Sequence, residues 1–210
     1  MNKNEIYIKA INLGLLGDIK VGKTSICNSF MKKDFSEDIP ETIGNEKIKI
    51  KFNLNNGNEI KLIIHDTSGQ ERFRKISLSP INYIQGLILV FDVTNKSSFK
   101  NLDLWLEDIK RIIRGDLIIL LGNKVDIPKE QWEVTTDEAK AFAEKYKLVY
   151  FETSAKTKQG INEAFSYIAN EAYKKFDKIN NDNIEINEHF TGTTPCIPNH
   201  RINRGKIKKK

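Results

Sequence analysis

The chain has 210 residues, 39% hydrophobic and 30% charged, the balance of one soluble globular domain with some chain to spare. No apolar run approaches the ~20 residues of a membrane-spanning helix, MNKNEIYIKA has no signal-peptide core, and Asn2 stands where N-myristoylation needs glycine. The formal net charge of +6 belongs to one end: Arg201, Arg204, Lys206, Lys208, Lys209 and Lys210 account for all of it, so residues 1–200 balance, and the folded body carries no basic signal for nucleic acid.

In chain order, strand-like and helix-like patterns alternate, which predicts a mostly parallel α/β sheet. An apolar strand over residues 9–16 ends at Gly17, and a helix follows from Gly22 to Met31. Residues 46–53 and 58–65 alternate around Asn55-Asn56-Gly57 and predict a hairpin. GLILVFDV (86–93) and DLIILLGN (116–123) are short continuous apolar runs, as expected of strands buried on both faces. Ser98 to Ile113 reads as an amphipathic helix between them, and Thr135 or Thr136 caps another that runs to Tyr146. LVYFET (148–153) is the last strand and Ile161 to Phe176 the last helix. Residues 1–177 therefore form the domain, and 178–210, rich in Asn and charge, a flexible basic tail. Two cysteines, Cys27 and Cys196, are too few for a disulfide framework or a zinc site. Cys27 falls on the core face of the first helix, and a reducing, cytosolic location is expected.

Four segments carry chemistry. GDIKVGKT (17–24) fits G-x-x-x-x-G-K-[ST] between a predicted strand and a predicted helix, the setting of a phosphate-binding loop. Gly17, Asp18, Ile19, Lys20, Val21 and Gly22 would wrap an anion in backbone N–H groups, and the helix N-terminus that runs on through Ser25 adds partial positive charge. Lys23 would reach the β- and γ-phosphates, and Thr24 would offer its hydroxyl to Mg²⁺. DTSGQ (66–70) places Asp66 at a strand end, ready to hold Mg²⁺ through water. The Gly69 N–H would meet a γ-phosphate, and Gln70 would orient an attacking water. GNKVD (122–126) puts Asp126 where a carboxylate accepts two hydrogen bonds from guanine N1 and N2, a pair that adenine cannot supply, with Asn123 and Lys124 flanking the base. In ETSAK (152–156), Ser154, Ala155 and Lys156 complete the base pocket, the Ala155 N–H facing guanine O6. All four follow strands, and open α/β sheets bind ligands at the carboxyl ends of their strands.

With these segments in this order, residues 8–177 resemble the Ras superfamily of small GTPases. The resemblance implies a six-stranded sheet with five helices and a switch cycle between GTP and GDP. It also implies that Thr42 is a second Mg²⁺ hydroxyl and that Phe35 lies edge-on over guanine. TIG (42–44), GQERF (69–73) and DVTNKSSFKNLDLW (92–105) are similar to the Rab branch, which implies vesicle trafficking, an exchange factor, an activating protein and effectors. A GTP-locked scaffold that scarcely hydrolyses its nucleotide, and a Ras-like orphan with a soluble signalling role, stay open as alternatives.

The departures are specific. The aromatic triad that Rab effectors read is replaced by Lys47, His65 and Pro80, with His65 expected as a surface imidazole on the hairpin. Ile19 and Lys20 stand where small residues are usual, Lys20 being expected on the solvated outer side of the loop. Ser68 replaces alanine. GKIKKK ends the chain without a prenylation motif, so the tail is expected to make only weak, salt-sensitive contact with the cytosolic face of an anionic membrane.

Overall fold

A computed structural model of the chain describes residues 10–36, 40, 42, 45–67, 84–112 and 117–188. Six strands form one sheet: β1 (Ala10–Leu16), β2 (Asn45–Asn53), β3 (Glu59–Thr67), β4 (Gly86–Asp92), β5 (Ile118–Asn123) and β6 (Val149–Thr153). Their order is β2-β3-β1-β4-β5-β6, with β2 antiparallel to β3 and every other pair parallel. β1 is flanked by β3 on one side and β4 on the other, so the chain reverses its direction of winding at β1. Ligands bind outside such a switch point, where the loops diverge.

The helices are α1 (Lys23–Phe30), α2 (Lys96–Lys100), α3 (Leu102–Ile112), α4 (Thr136–Tyr146) and α5 (Ile161–Glu188). The single helix expected over 98–113 is two, because Asn95 caps α2 by accepting from Ser98 N–H and the chain turns at Asn101 before α3. The last helix passes Phe176 and ends at Glu188: no Gly or Pro interrupts 161–188, and each added residue contributes one backbone bond. The chain divides into two units, one ending at Phe176 and one beginning at Asp177, and all six strands lie in the first.

Apolar layers cover the two faces of the sheet. One combines Ile26 and Cys27 of α1 and Phe165 and Ile168 of α5 with alternate residues of β1 and β3, such as Leu13 and Leu62. The other sets Trp105 and Leu106 of α3 and Ala139 of α4 against Leu87, Leu89 and Phe91 of β4. Each fully buried Leu, Ile or Phe contributes roughly 1.5–3 kcal/mol relative to exposure. As expected, Cys27 is buried, and burial raises its thiol pKa well above the ordinary range.

Candidate functional site

Five parallel strands point their carboxyl ends at one rim, and each delivers a polar segment there. The phosphate-type loop leaves β1 at Gly17 (φ 143°) and enters α1 through Gly22 (φ 96°). A Cβ on Gly17 would stand 2.2 Å from the Val90 carbonyl oxygen, and one on Gly22 would stand 2.4 Å from Asn123 Nδ2. The glycines are thus needed for close approach as well as for backbone conformation. Lys20 sits between them with φ 63° and is exposed, as expected of a solvated loop lysine, while Ile19 is half-buried.

Lys23 is buried and bends back over the loop, donating to the carbonyls of Gly17 (2.9 Å) and Asp18 (2.8 Å). Burial lowers its pKa to about 8, against the opposing pull of Asp66 and Asp18. An ammonium that burial has stripped of water gains from an anion placed in the loop.

Beside it, three oxygens converge. Thr24 Oγ1 donates to Asp66 Oδ2 at 2.6 Å and lies 2.8 Å from Thr42 Oγ1. Asp66 is fully buried, its Oδ1 has no hydrogen-bond partner, and burial raises its pKa. Two hydroxyls and a carboxylate with an orphaned buried oxygen are a hard donor set of the kind magnesium takes, so the residues present fit that ion.

The base end is built from β5 and β6. Ser154 donates to Asp126 Oδ1 at 2.6 Å, which fixes the carboxylate while its second oxygen remains to accept. Asn123 is buried and bonded on both sides. Its Nδ2 donates to the Val21 carbonyl (2.9 Å), and its Oδ1 accepts from the Ala155 N–H (3.2 Å). One side chain therefore ties the phosphate-type loop to the base pocket. Lys124, at φ 70°, places its Nζ 2.5 Å from Asp92 Oδ2. Phe35 is 40% exposed, and Lys156 Nζ lies 6.0 Å from its ring centroid. An exposed aromatic edge beside a lysine leaves a planar group something to stack against. Ser25 sits half-buried in the first turn of α1.

Reading the sequence alone missed three residues. Asp92 orders Lys124 and also accepts from the Thr94 N–H (2.9 Å). Asn101 Nδ2 (2.6 Å) and Trp105 Nε1 (2.8 Å) both donate to the Asp18 carboxylate, so the loop is pinned to α3. A strand-end carboxylate followed by Thr two residues on was a local signal for Asp92; no local signal links Asp18 to residues in another helix. Gly69, Gln70, Ser68, Pro80 and Cys196 lie outside the described residues.

His65 departs from expectation. It is buried, only 3% exposed, because β3 lies inside the sheet and not at the tip of the hairpin. Its Nε2 meets Asn12 Oδ1 at 3.1 Å and its Nδ1 has no partner; burial, and then the neighbouring Lys47, lower its pKa.

Comparison with known proteins agrees with this geometry. The Ras family model matches residues 12–174. The chain is 40% identical over 167 residues to "Ras-related protein Rab-18" of Lymnaea stagnalis, covering 79% of this chain and 81% of that protein. It is 38% identical over 179 residues to "Ras-related protein Rab-2B" of Dictyostelium discoideum, covering 83% and 86%. It is 39% identical over 164 residues to "Ras-related protein RABE1e" of Arabidopsis thaliana, covering 78% and 75%.

Proposed function

We propose that this chain, which belongs to the Ras family and is a Rab-like small GTPase converting GTP to GDP and phosphate, uses the rim described above as its nucleotide and Mg²⁺ site and acts as a switch in vesicle trafficking. The observation that supports the reading is the convergence of Thr24, Thr42 and Asp66 oxygens beside the buried Lys23. Thr24 and Thr42 would be the hydroxyl ligands of Mg²⁺ and Asp66 would hold it through water; when bound, the ion supplies charge neutralisation for the phosphates. Gly17 to Ser25 wrap the phosphates, and Lys23 turns from the loop carbonyls to the β- and γ-oxygens.

Asp126 accepts from guanine N1 and N2, with Ser154 holding it in place. The Ala155 N–H bond to Asn123 is at the long end of its range, so the N–H has room to share with guanine O6. Phe35, Asn123, Lys124 and Lys156 border the base, and Asn123 also ties the base pocket to the phosphate-binding loop. Gly69 meets the γ-phosphate and Gln70 positions the attacking water. Residues 1–177 serve as the nucleotide-binding domain. Residues 178–210 serve as a basic extension that meets anionic membrane surfaces on the cytosolic side. Among the described residues no helix is long and apolar enough to cross a membrane.

The test is to release and identify the nucleotide that co-purifies with the protein, compete GTP against ATP, and follow single-turnover hydrolysis in Gln70→Leu. Guanine nucleotide, GTP preference and a hydrolysis rate reduced about tenfold, or ~1.4 kcal/mol in barrier, are expected. Equal affinity for ATP and GTP would remove the guanine assignment, and an unchanged rate would remove Gln70 from the mechanism.

A further inference from the structure

β4 ends at Asp92, and the parallel register sets that residue beside Asn123 of β5, the residue before Lys124. The Asp92 side chain is only 7% exposed, and both of its oxygens are used. Oδ1 accepts from the Thr94 N–H at 2.9 Å and from the Thr94 hydroxyl at 2.7 Å. Oδ2 meets Lys124 Nζ at 2.5 Å. Lys124 in turn opens the bend that carries Asp126: its carbonyl accepts from the Ile127 N–H at 3.1 Å. The φ of 70° that aims this bend is uncommon for a residue with a Cβ. The bend is held from two sides. On the β6 side the Val125 N–H donates to the Thr153 carbonyl at 3.2 Å and Ser154 donates to Asp126; on the β4 side Asp92 holds the Lys124 ammonium.

We propose that Asp92 is a positioning residue that sets how long a guanine nucleotide stays bound, acting through Lys124. The inference rests on the nucleotide site proposed above and adds a residue that touches no part of the nucleotide. A strand-end Asp two residues before Thr has an ordinary explanation, since its carboxylate bonds the backbone two residues on and closes an Asx turn. That explanation covers Oδ1 and Thr94, and an Asn side chain would close the same turn equally well. It leaves out Oδ2, whose partner comes from another loop. The negative charge at position 92 therefore serves Lys124, and the ammonium in turn pairs a carboxylate that would be costly to bury alone.

A lysine is a point charge on a flexible four-carbon stem. With its head fixed at Asp92, the Lys124 stem has one direction, its charge is balanced, and its methylenes are what a neighbouring base would meet. The Lys124 side chain remains 38% exposed, so it is open to a ligand beside the bend, whereas Asp92 is sealed from one. The same bend sets the place of Asp126, so releasing Lys124 loosens two contacts to the base together. The bonds of the Asp92 carboxylate go to Thr94 and Lys124 and not to the phosphate-type loop, so its influence is confined to the base end.

The test loads the full chain with ribose-labelled fluorescent GDP and Mg²⁺ and follows its release into excess unlabelled GDP. Three variants are compared with the original: Asp92→Asn, which keeps the turn acceptor and removes the charge; Lys124→Met, which keeps the stem and removes the ammonium; and the two combined. Release should be about tenfold faster or more in Asp92→Asn, since breaking a buried charge pair acts on dissociation. The combined variant should release no faster than the faster single variant, because Asp92 then has no ammonium left to hold. Phosphorus NMR shifts of bound GDP should be the same in Asp92→Asn as in the original, whereas a general loosening of the fold would move them. Asp92→Ser, smaller and also able to close the turn, repeats the measurements should the Asn variant not fold. Release from Asp92→Asn within about twofold of the original, effects that multiply in the combined variant, or displaced phosphorus signals would each overturn the proposal. An original chain that holds no guanine nucleotide would overturn the function proposed above and this inference together. Firm binding with unchanged release in Asp92→Asn would overturn this inference alone.

Discussion

The rim at the strand ends and the outer face of β2 and β3 treat polar groups in opposite ways. At the rim, protein groups are spent on one another: Lys23 on loop carbonyls, Asn123 on Val21 and Ala155, Ser154 on Asp126, and Asn101 and Trp105 on Asp18. On the β2–β3 face, Lys47, Lys49 and Lys61 extend from a stiff ladder toward water. The rim is preorganised for a ligand of fixed shape, so each position tolerates few residue types. The face carries only a sign of charge and a two-residue repeat, which is a looser demand on side-chain shape.

The sharpest way to break the comparison is to add a methyl group at a glycine in each region. Gly17 and Gly57 both have positive φ, 143° and 84°. At Gly17 the new Cβ would meet the Val90 carbonyl oxygen at 2.2 Å, whereas at Gly57, in the β2–β3 hairpin, nothing lies within 4 Å. Gly17→Ala combines backbone strain with a steric clash and should lower stability by about 3 kcal/mol or more. Gly57→Ala carries only the left-handed conformation and should cost about 1 kcal/mol. Urea unfolding of both variants checks the ratio, and equal losses would mean that the rim is no more tightly built than the hairpin.

Next in size is Asp126→Asn. The exchange would remove the charged acceptor proposed for two guanine N–H donors, each such bond contributing about 1.5–3 kcal/mol. GTP affinity should fall about 100-fold, or ~2.7 kcal/mol, while xanthosine triphosphate, whose C2 carbonyl can accept from an amide, should gain. The same titration on Lys49→Glu should show GTP affinity unchanged. Competition binding reads both, and a matching loss in the two variants would erase the distinction between the regions.

Much of the rim was legible in the sequence because its chemistry is local. A glycine pair, a lysine and a hydroxyl inside eight residues specify an anion cradle, Asp126 closely follows a buried strand, and Ser154 directly follows the last one. The hairpin, too, was local: Gly57 N–H closes the turn onto the Leu54 carbonyl at 2.9 Å. Long-range relations were not legible. The burial of His65 depends on β3 lying inside the sheet, and the pinning of Asp18 depends on where α3 packs. The bonds that Asn123 makes within the protein, besides its expected place beside the base, were not legible either. Its actual partners, Val21 and Ala155, come from two other loops.

Asn101 gives a smaller test of how firmly the rim is tied to the rest of the fold. Asn101→Ala removes one of the two donors to the Asp18 carboxylate and leaves Trp105 Nε1 at 2.8 Å. A hydrogen bond to a carboxylate in a half-buried setting should cost about 1 kcal/mol of stability when lost. The loop it steadies should also bind GTP a few-fold more weakly. Thermal unfolding and nucleotide titration of the same variant check both. Full affinity with reduced stability would show that the tie supports the fold alone.

The smallest effect sharpens the comparison from outside either region, through the contrast between two carboxyls. Asp66, dry at the rim, has its pKa raised, chiefly by burial. Glu138, exposed in the first turn of α4, has its pKa lowered to about 2 by the hydrogen bond from Lys96, then by the Thr135 backbone N–H at 3.0 Å. Thr135 in turn accepts from the Glu138 N–H, completing a capping box. The sign follows from linkage. A carboxyl whose folded-state pKa lies below its ordinary value contributes stability that is present above about pH 4.5 and fades as pH falls toward about 2. Lys96→Met removes the leading cause, so the Glu138 titration midpoint should move back toward 4.5, stopping short because Thr135 still donates. Carboxyl carbon shifts followed by NMR across that pH range measure the movement. A midpoint that stays where it was would mean that the capping box alone depresses the carboxyl and that solvent screens the lysine, which would make water access the whole difference between Glu138 and the rim's Asp66.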